Sequence, residues 1–434
     1  MNDQLVARLV QAADDYRDRL VDVVARAVRI PSVMGEEHAV SRFFEELAKD
    51  GGFEVDAWAP DDDALKAHAA YVPVDYDYGD RNNVIVRRRG VGSGRTLVLF
   101  GHLDTVPVDP NTTWEHDPYS GDVEDGKIFG RGSADMKAGC GVALVALEVM
   151  RDLGVELAGD LEAHLILDEE AGGNGTLAAV MRGHYGPHVG CVMLEPTTPS
   201  RLIISGRGAQ FFRVRVPGEE GGTEYHRDLF SAIDGAFVIY NAVQRFAQMR
   251  EAEVASPAKR DPLYDGRGRT RVPTAICKIQ AGAWPSTVAG EAVLEGTIEC
   301  LPGEDIRHVV DSLERYLGEV CADHWFLRDH PARFERFGLW FESAGLRRDD
   351  DFVTTLEAAA EQALGERPQV LGGGGSDLRL PVIYADCPTV LWGPGGGPIH
   401  SVDEWASIDQ MVDMLKAVLV AAVHWCGATE EAVA

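Results

Sequence analysis

Five short segments of this chain end strand-like or turn-like stretches with side chains suited to hold a cation. The first is Gly101-His102-Leu103-Asp104-Thr105-Val106-Pro107, preceded by a buried-type strand over residues 96–100. A strand puts residues i and i+2 on one side. His102 and Asp104 therefore project together, Asp104 fixing the tautomer and orientation of the imidazole while its other nitrogen takes a metal. In the second, Gly130-Arg131-Gly132-Ser133-Ala134-Asp135-Met136-Lys137, a glycine-lined turn delivers Asp135. The third runs from an apolar stretch, residues 161–167, into Asp168-Glu169-Glu170-Ala171-Gly172-Gly173. Three consecutive carboxylates repel one another unless a cation neutralises them. Taken alone, such a triplet reads first as a solvated acidic turn. The fourth is a strand over 190–194 ending in Glu195-Pro196, and the fifth a glycine-rich loop, 393–397, leading to His400.

The elements that must position these groups follow from periodicity. Residues 20–30, 36–49 and 139–153 read as helices; 83–87, 96–100, 161–167 and 191–194 read as strands. That alternation argues for an α/β sandwich with a mostly parallel sheet, and the candidate ligands fall at strand ends, where such folds gather active-site groups. Near Gly206-Arg207-Gly208 the pattern changes to strand 210–216, helix 231–250, strands 271–280 and 288–300, helix 304–322 and strand 333–341. This β-α-β-β-α-β order is the ferredoxin-like split motif, and it contains none of the five segments. Helices over 351–364 and 409–425 return the chain to the first pattern. The boundaries expected are 1–206 and 344–434 for a catalytic domain and 207–343 for an inserted one. The charged stretch 251–270, with Pro and Gly, reads as a loop.

At 434 residues the chain is too long for one typical core. Forty-one Lys and Arg against 70 Asp and Glu give a net charge of −29, which excludes nucleic acid and anionic membrane as natural partners. Seven scattered cysteines without a Cys-x-x-Cys pair read as free thiols in a reducing compartment. The start lacks the basic and apolar regions of a signal peptide, and no apolar run is long enough to span a membrane, so a cytoplasmic protein is expected.

Together the five segments resemble the co-catalytic zinc aminoacylase and carboxypeptidase family, which includes acetylornithine deacetylase, succinyl-diaminopimelate desuccinylase, aminoacylase and glutamate carboxypeptidase. The match extends from Ile30-Pro31-Ser32-Val33 to His400-Ser401-Val402-Asp403-Glu404, with the motifs in family order. The resemblance implies two divalent metal ions bridged by Asp135. His102 and Glu195 complete the ligands of one, and Glu170 and His400 those of the other. Asp104 backs His102, and Glu169 is the general base. Two histidines and three carboxylates suit zinc, and also cobalt or manganese; metals about 3.5–4 Å apart lower the pKa of a shared water and polarise a carbonyl. The resemblance further implies that the inserted domain is a lid pairing two subunits of a homodimer. Within it His226 corresponds to a histidine that reaches across the dimer to the oxyanion, although Arg227 follows where relatives carry a small residue. An ordinary loop histidine is the alternative. Ser376 and Arg379, in Gly372-Gly373-Gly374-Gly375-Ser376-Asp377-Leu378-Arg379, correspond to a stretch near the substrate carboxylate. A planar guanidinium suits that role, and a structural ion pair suits it equally.

The departures lie in the lid. Trp284-Pro285-Ser286-Thr287-Val288 looks more like the deacetylase and deformylase branch than the peptidase branch, and Glu299 stands where relatives place an arginine. The activity implied is hydrolysis of the amide of a small N-acyl amino acid or related N-acyl amine. A dipeptidase or carboxypeptidase is the runner-up, and amide or ring formation in a biosynthetic pathway a third reading. His116, His164, His184 and His188 read as structural or solvated.

Overall fold

The computed structural model describes residues 3–265 and 270–428. The chain divides into two compact units, Met1–Ser205 with Gly345–Leu371 and Ser376–Ala434, and Gly206–Ala344 with Gly372–Gly375.

Seven strands of the first unit's main sheet run in the order Glu54–Trp58, Asn83–Arg88, Leu161–Ile166, Thr96–His102, Val189–Met193, Thr389–Leu391 and Arg201–Gly206. The four from Leu161–Ile166 to Thr389–Leu391 are mutually parallel. Antiparallel strands flank them on both sides. The sheet is thus a parallel centre with antiparallel margins, and the α/β class expected from the sequence holds. Strands buried on both faces must be apolar throughout rather than alternating, and Leu97 to His102 are all buried. The helix Ala138–Asp152 is buried from Ala138 to Met150, and Ile408–Cys426 packs on it. An all-round apolar helix of this kind is a core helix.

The second unit is the split β-α-β-β-α-β motif. Its antiparallel sheet has the order Thr274–Ala281, Glu291–Cys300, Gly208–Pro217 and Arg333–Phe341. Alternate residues Phe212, Val214 and Val216 face Ile239, Val243 and Phe246 of helix Ala232–Val254 and Val310 and Leu313 of helix Ile306–Asp323. Arg213 and Arg215, on the other face, pair with Glu295 and Glu335. Ser231 and Asp305 cap the two helices by accepting backbone N–H groups. Two expectations change in detail. Residues 288–300 form two strands, Thr287–Val288 and Glu291–Cys300, and the helix expected to end at 250 runs to Val254, shortening the loop. Residues 266–269 of that loop lie outside the described residues. All seven cysteines are free thiols, Cys277 alone exposed. No helix among the described residues is long and apolar enough to cross a membrane.

Candidate metal centre

The strand Thr96–His102 carries His102 at its buried end because Gly101 lets helix Ala138–Asp152 approach: a Cβ there would stand 2.6 Å from Cys140 Sγ. Gly139 does the same where a Cβ would lie 2.4 Å from the carbonyl oxygen of Leu194, beside Glu195. These two close contacts bring the ends of separate elements together. His102 Nε2 lies 3.0 Å from Asp135 Oδ1, His400 Nε2 3.2 Å from Asp135 Oδ2, and His400 Nε2 3.0 Å from Glu170 Oε1. Nitrogen or oxygen atoms of His102, Asp135 and Glu170 all lie within 4.8 Å of one another, a group able to hold a metal ion.

The electrostatics are those of a site built for cations. Burial works against charge on Asp135, yet hydrogen bonds from His102 and His400 hold its carboxyl well below the usual range. Burial likewise opposes charge on His102, but Asp104 and Asp135 hold the imidazole well above its usual range. Hydrogen bonds to Asp135 and Glu170 raise His400 to about 10. Burial, then the Asp135 charge, pushes Glu195 up to about 8. Burial and the Glu195 charge raise Glu169, and burial raises Glu170 against the pull of His400. Glu195 Oε1 is buried with no hydrogen-bond partner. A buried, partnerless carboxylate oxygen in the electrostatic field of Asp135, His102 and Glu170 is what a divalent ion needs and what a protein without one tolerates poorly. The donor set fits the metals expected.

A pH dependence follows for metal-stripped protein. Folding raises Glu195 from its ordinary 4.5 to about 8, so the folded state binds its proton more tightly than the unfolded state. That contribution to stability is present at low pH and is lost as pH rises through this window. The raised His400 and Glu169 act in the same direction. Thermal scans of stripped protein are expected to show the melting temperature falling between pH 5 and 8, with zinc abolishing most of the fall. A flat or rising curve contradicts this electrostatic picture.

Asp104 does more than the sequence suggests. The His102 Nδ1–H donates to the Asp104 backbone carbonyl at 2.9 Å, while the carboxylate stands 3.5 Å from the same nitrogen. The carboxylate instead accepts the backbone N–H groups of Glu169, at 3.1 Å, and Glu170, at 2.9 Å. One buried residue thus sets both, the imidazole through its backbone carbonyl and the turn bearing two candidate site carboxylates through its side chain. Asp168, the first of the three consecutive acids, points elsewhere. Its carboxylate accepts from the phenols of Tyr76 and Tyr78, and burial raises it to about 7.

Glu404 is a residue the sequence reading named only as the end of a motif. It accepts the backbone N–H groups of Ala134 and Asp135, both at 3.1 Å, and pairs with Arg131, holding the Asp135 turn. Its carboxylate four residues beyond His400 was the available signal.

Arg379, expected as a substrate clamp or a structural ion pair, makes structural contacts. The side chain is 1% exposed and its Nη2 donates to the carbonyl of Gly172 at 3.1 Å, bracing the turn that follows Glu169 and Glu170. Ser376 is also buried, its Oγ accepting the N–H of Leu378 at 3.3 Å, so it forms a turn before the helix Arg379–Ala385. His226 stands exposed in the second unit at the end of the short helix Thr223–Tyr225, with Nδ1 2.9 Å from the Thr223 carbonyl. In that unit too, Glu299 is engaged by Arg207. His164 is structural: buried, with Nε2 2.8 Å from Glu162 and Nδ1 3.1 Å from the Tyr185 hydroxyl.

The model of peptidase family M20/M25/M40 matches residues 98–424, a span that includes all five candidate-ligand segments. The chain belongs to that family. It is an M20-family hydrolase of amide bonds. Curated relatives include the N-formyl-4-amino-5-aminomethyl-2-methylpyrimidine deformylase of Bacillus subtilis, 25% identical over 99% of this chain and 100% of that protein. Another is the succinyl-diaminopimelate desuccinylase of Methylobacterium radiotolerans, 29% identical over 88% of this chain and 90% of that one. Among solved structures, the dipeptidase Dug1p of Saccharomyces cerevisiae superposes with a TM-score of 0.78 over 99% of this chain and 100% of its own, at 15% identity. The M20-family protein YXEP of Bacillus subtilis, described as a dinuclear metal-binding peptidase, does so with a TM-score of 0.64 over 96% and 100%, at 16% identity. At such identities these structures establish the fold of this M20 enzyme and not its substrate.

Proposed function

We propose that this M20 enzyme is a di-zinc deacylase that hydrolyses the amide of a small N-acyl amine, of which N-formyl and N-acetyl compounds are the leading class. The observation that carries the reading is Asp135 standing between His102 at 3.0 Å and His400 at 3.2 Å. His102 and Glu195 would hold one ion and Glu170 and His400 the other, with Asp135 serving both. Bound there, the ions would polarise the scissile carbonyl and lower the pKa of a water. Glu169 is off the ligand set but on the same turn as Glu170. Its carboxylate takes the proton of the attacking water and passes it to the leaving nitrogen, so that amide and water become carboxylate and amine. The raised affinity of Glu169 for a proton suits both halves of that transfer.

The names of the deformylase and desuccinylase relatives support deacylation over peptide cleavage. The pairing of Glu299 with Arg207 also supports it, since the lid position at which relatives place an arginine carries no free cation here. The same reading includes a cytoplasmic homodimer paired through residues 207–343, with His226 as oxyanion donor. His226→Ala is then expected to lower kcat by about 10²–10³, as steady-state kinetics would show; an unchanged kcat would remove His226 from the site.

Amine release by zinc-loaded protein from N-formyl, N-acetyl and N-succinyl amines and amino acids, alongside free dipeptides, tests the assignment. Turnover of an N-acyl compound with dipeptides inert is expected. Dipeptide cleavage alone would favour the peptidase reading, and product formed only from an amine plus an acyl donor would favour synthesis.

A further inference from the structure

Residues 71–82 contain no helix or strand, yet the segment is fastened to Asp168 and Asn174, which bracket the turn carrying Glu169 and Glu170. The buried side chain of Asn174 accepts the N–H of Val72 at 3.1 Å and donates to its carbonyl at 2.8 Å. The hydroxyls of Tyr76 and Tyr78 both donate to the Asp168 carboxylate, which is fully buried. Behind them the Arg81 guanidinium lies 4.7 Å from the Tyr76 ring centre and 4.9 Å from that of Tyr78, and its Nη1 pairs with buried Glu37 at 2.6 Å. Asp168 itself has a φ of 69°, in the left-handed region that non-glycine residues rarely occupy. Such a conformation persists only where the surroundings over-determine it. From the other side, Asp104 accepts the N–H groups of Glu169 and Glu170.

We infer that Tyr76 and Tyr78 are positioning residues for the hydrolytic reaction: by holding Asp168 they fix the backbone turn that aims the Glu169 carboxylate. The inference rests on Glu169 being the base. Neither phenol touches the candidate ligands. Their action is mechanical, since a buried carboxylate deprived of both donors must find others, and the turn then relaxes from its left-handed start. Displacing a catalytic group by about 1 Å costs as much as 10²-fold in rate.

The test compares zinc-loaded wild type with Tyr76→Phe, Tyr76→Phe/Tyr78→Phe, Glu169→Ala and the triple variant, on the N-acyl amine turned over fastest. The double variant is expected to lose about 10- to 100-fold in kcat, with KM within about twofold and both zinc ions retained. The half-buried Tyr76 change alone is expected to lose less, which covers a folding failure of the double variant. In the Glu169→Ala background the tyrosine changes are expected to add less than twofold, because they act through that carboxylate. Amide exchange followed by mass spectrometry supplies a reading independent of turnover: the 168–173 segment exchanges faster in the tyrosine variants, while helix Ala232–Val254 does not. Wild-type kcat in the double variant, unaltered exchange at 168–173, or a parallel loss of zinc and KM overturns the inference. Full activity of Glu169→Ala overturns instead the assignment of the base, so the two failures are distinguishable.

Discussion

Glu169→Ala is expected to lose turnover by about 10²–10⁴-fold while still binding two zinc ions; this range is what a positioned general base contributes. The expectation divides the two neighbouring glutamates by role. Glu170 Oε1 lies 3.0 Å from His400, and Glu170 belongs to the group of His102, Asp135 and Glu170 able to hold a metal, which among the described residues does not include Glu169. Removing Glu169 therefore takes away the proton acceptor without opening the metal site, and KM changes little. Glu170→Ala removes a ligand, so loss of one zinc accompanies its loss of rate. Steady-state kinetics beside metal analysis of both variants distinguishes the two. Full turnover by Glu169→Ala, or loss of zinc from it, would reverse the assignment.

Asp104→Asn is expected to weaken zinc binding by about 10- to 100-fold, the usual cost of disturbing a group that orients a ligand, and to lower kcat as well. The substitution preserves size but not polarity. Asp104 Oδ1 and Oδ2 each accept one backbone N–H, from Glu169 and Glu170, and an asparagine must turn its NH₂ toward one of them. Two donors then face one another in a buried place, at a cost of about 1–3 kcal/mol for the group left unsatisfied. The negative charge 3.5 Å from His102 Nδ1 is lost as well. Zinc titration and a melting curve measure the two effects separately. Wild-type affinity with wild-type rate would show that the carboxylate is not needed for either.

The sequence exposed the parts of the site that repeat a local rule. His102 closes a strand, and Asp135, Glu170, Glu195 and His400 each stand beside a glycine-lined turn or a strand end; Asp104 lies just beyond the strand, not within its period-2 alternation. The split motif of the second unit was legible for the same reason, since Phe212, Val214 and Val216 alternate. What escaped depends on distant segments meeting. The grip of Asp104 on Glu169 and Glu170 joins residues 65 and 66 positions apart. Tyr76 and Tyr78 lie in an aperiodic segment whose only clue is two aromatic residues in a polar run. The contact of Arg379 with the Gly172 carbonyl likewise joins residues far apart in the chain. The helix end at Val254 moved because the first residues taken for a loop, Glu251 to Glu253, are good helix formers, and Glu253 pairs with buried Arg250 one turn back.

Crystals of the zinc-loaded enzyme, measured at the zinc absorption edge, test the two-metal centre most directly. Two anomalous peaks are expected, both at bonding distance from Asp135, one also touching His102 and Glu195 and the other Glu170 and His400. A single peak, or peaks that do not share Asp135, would contradict a centre built on that residue.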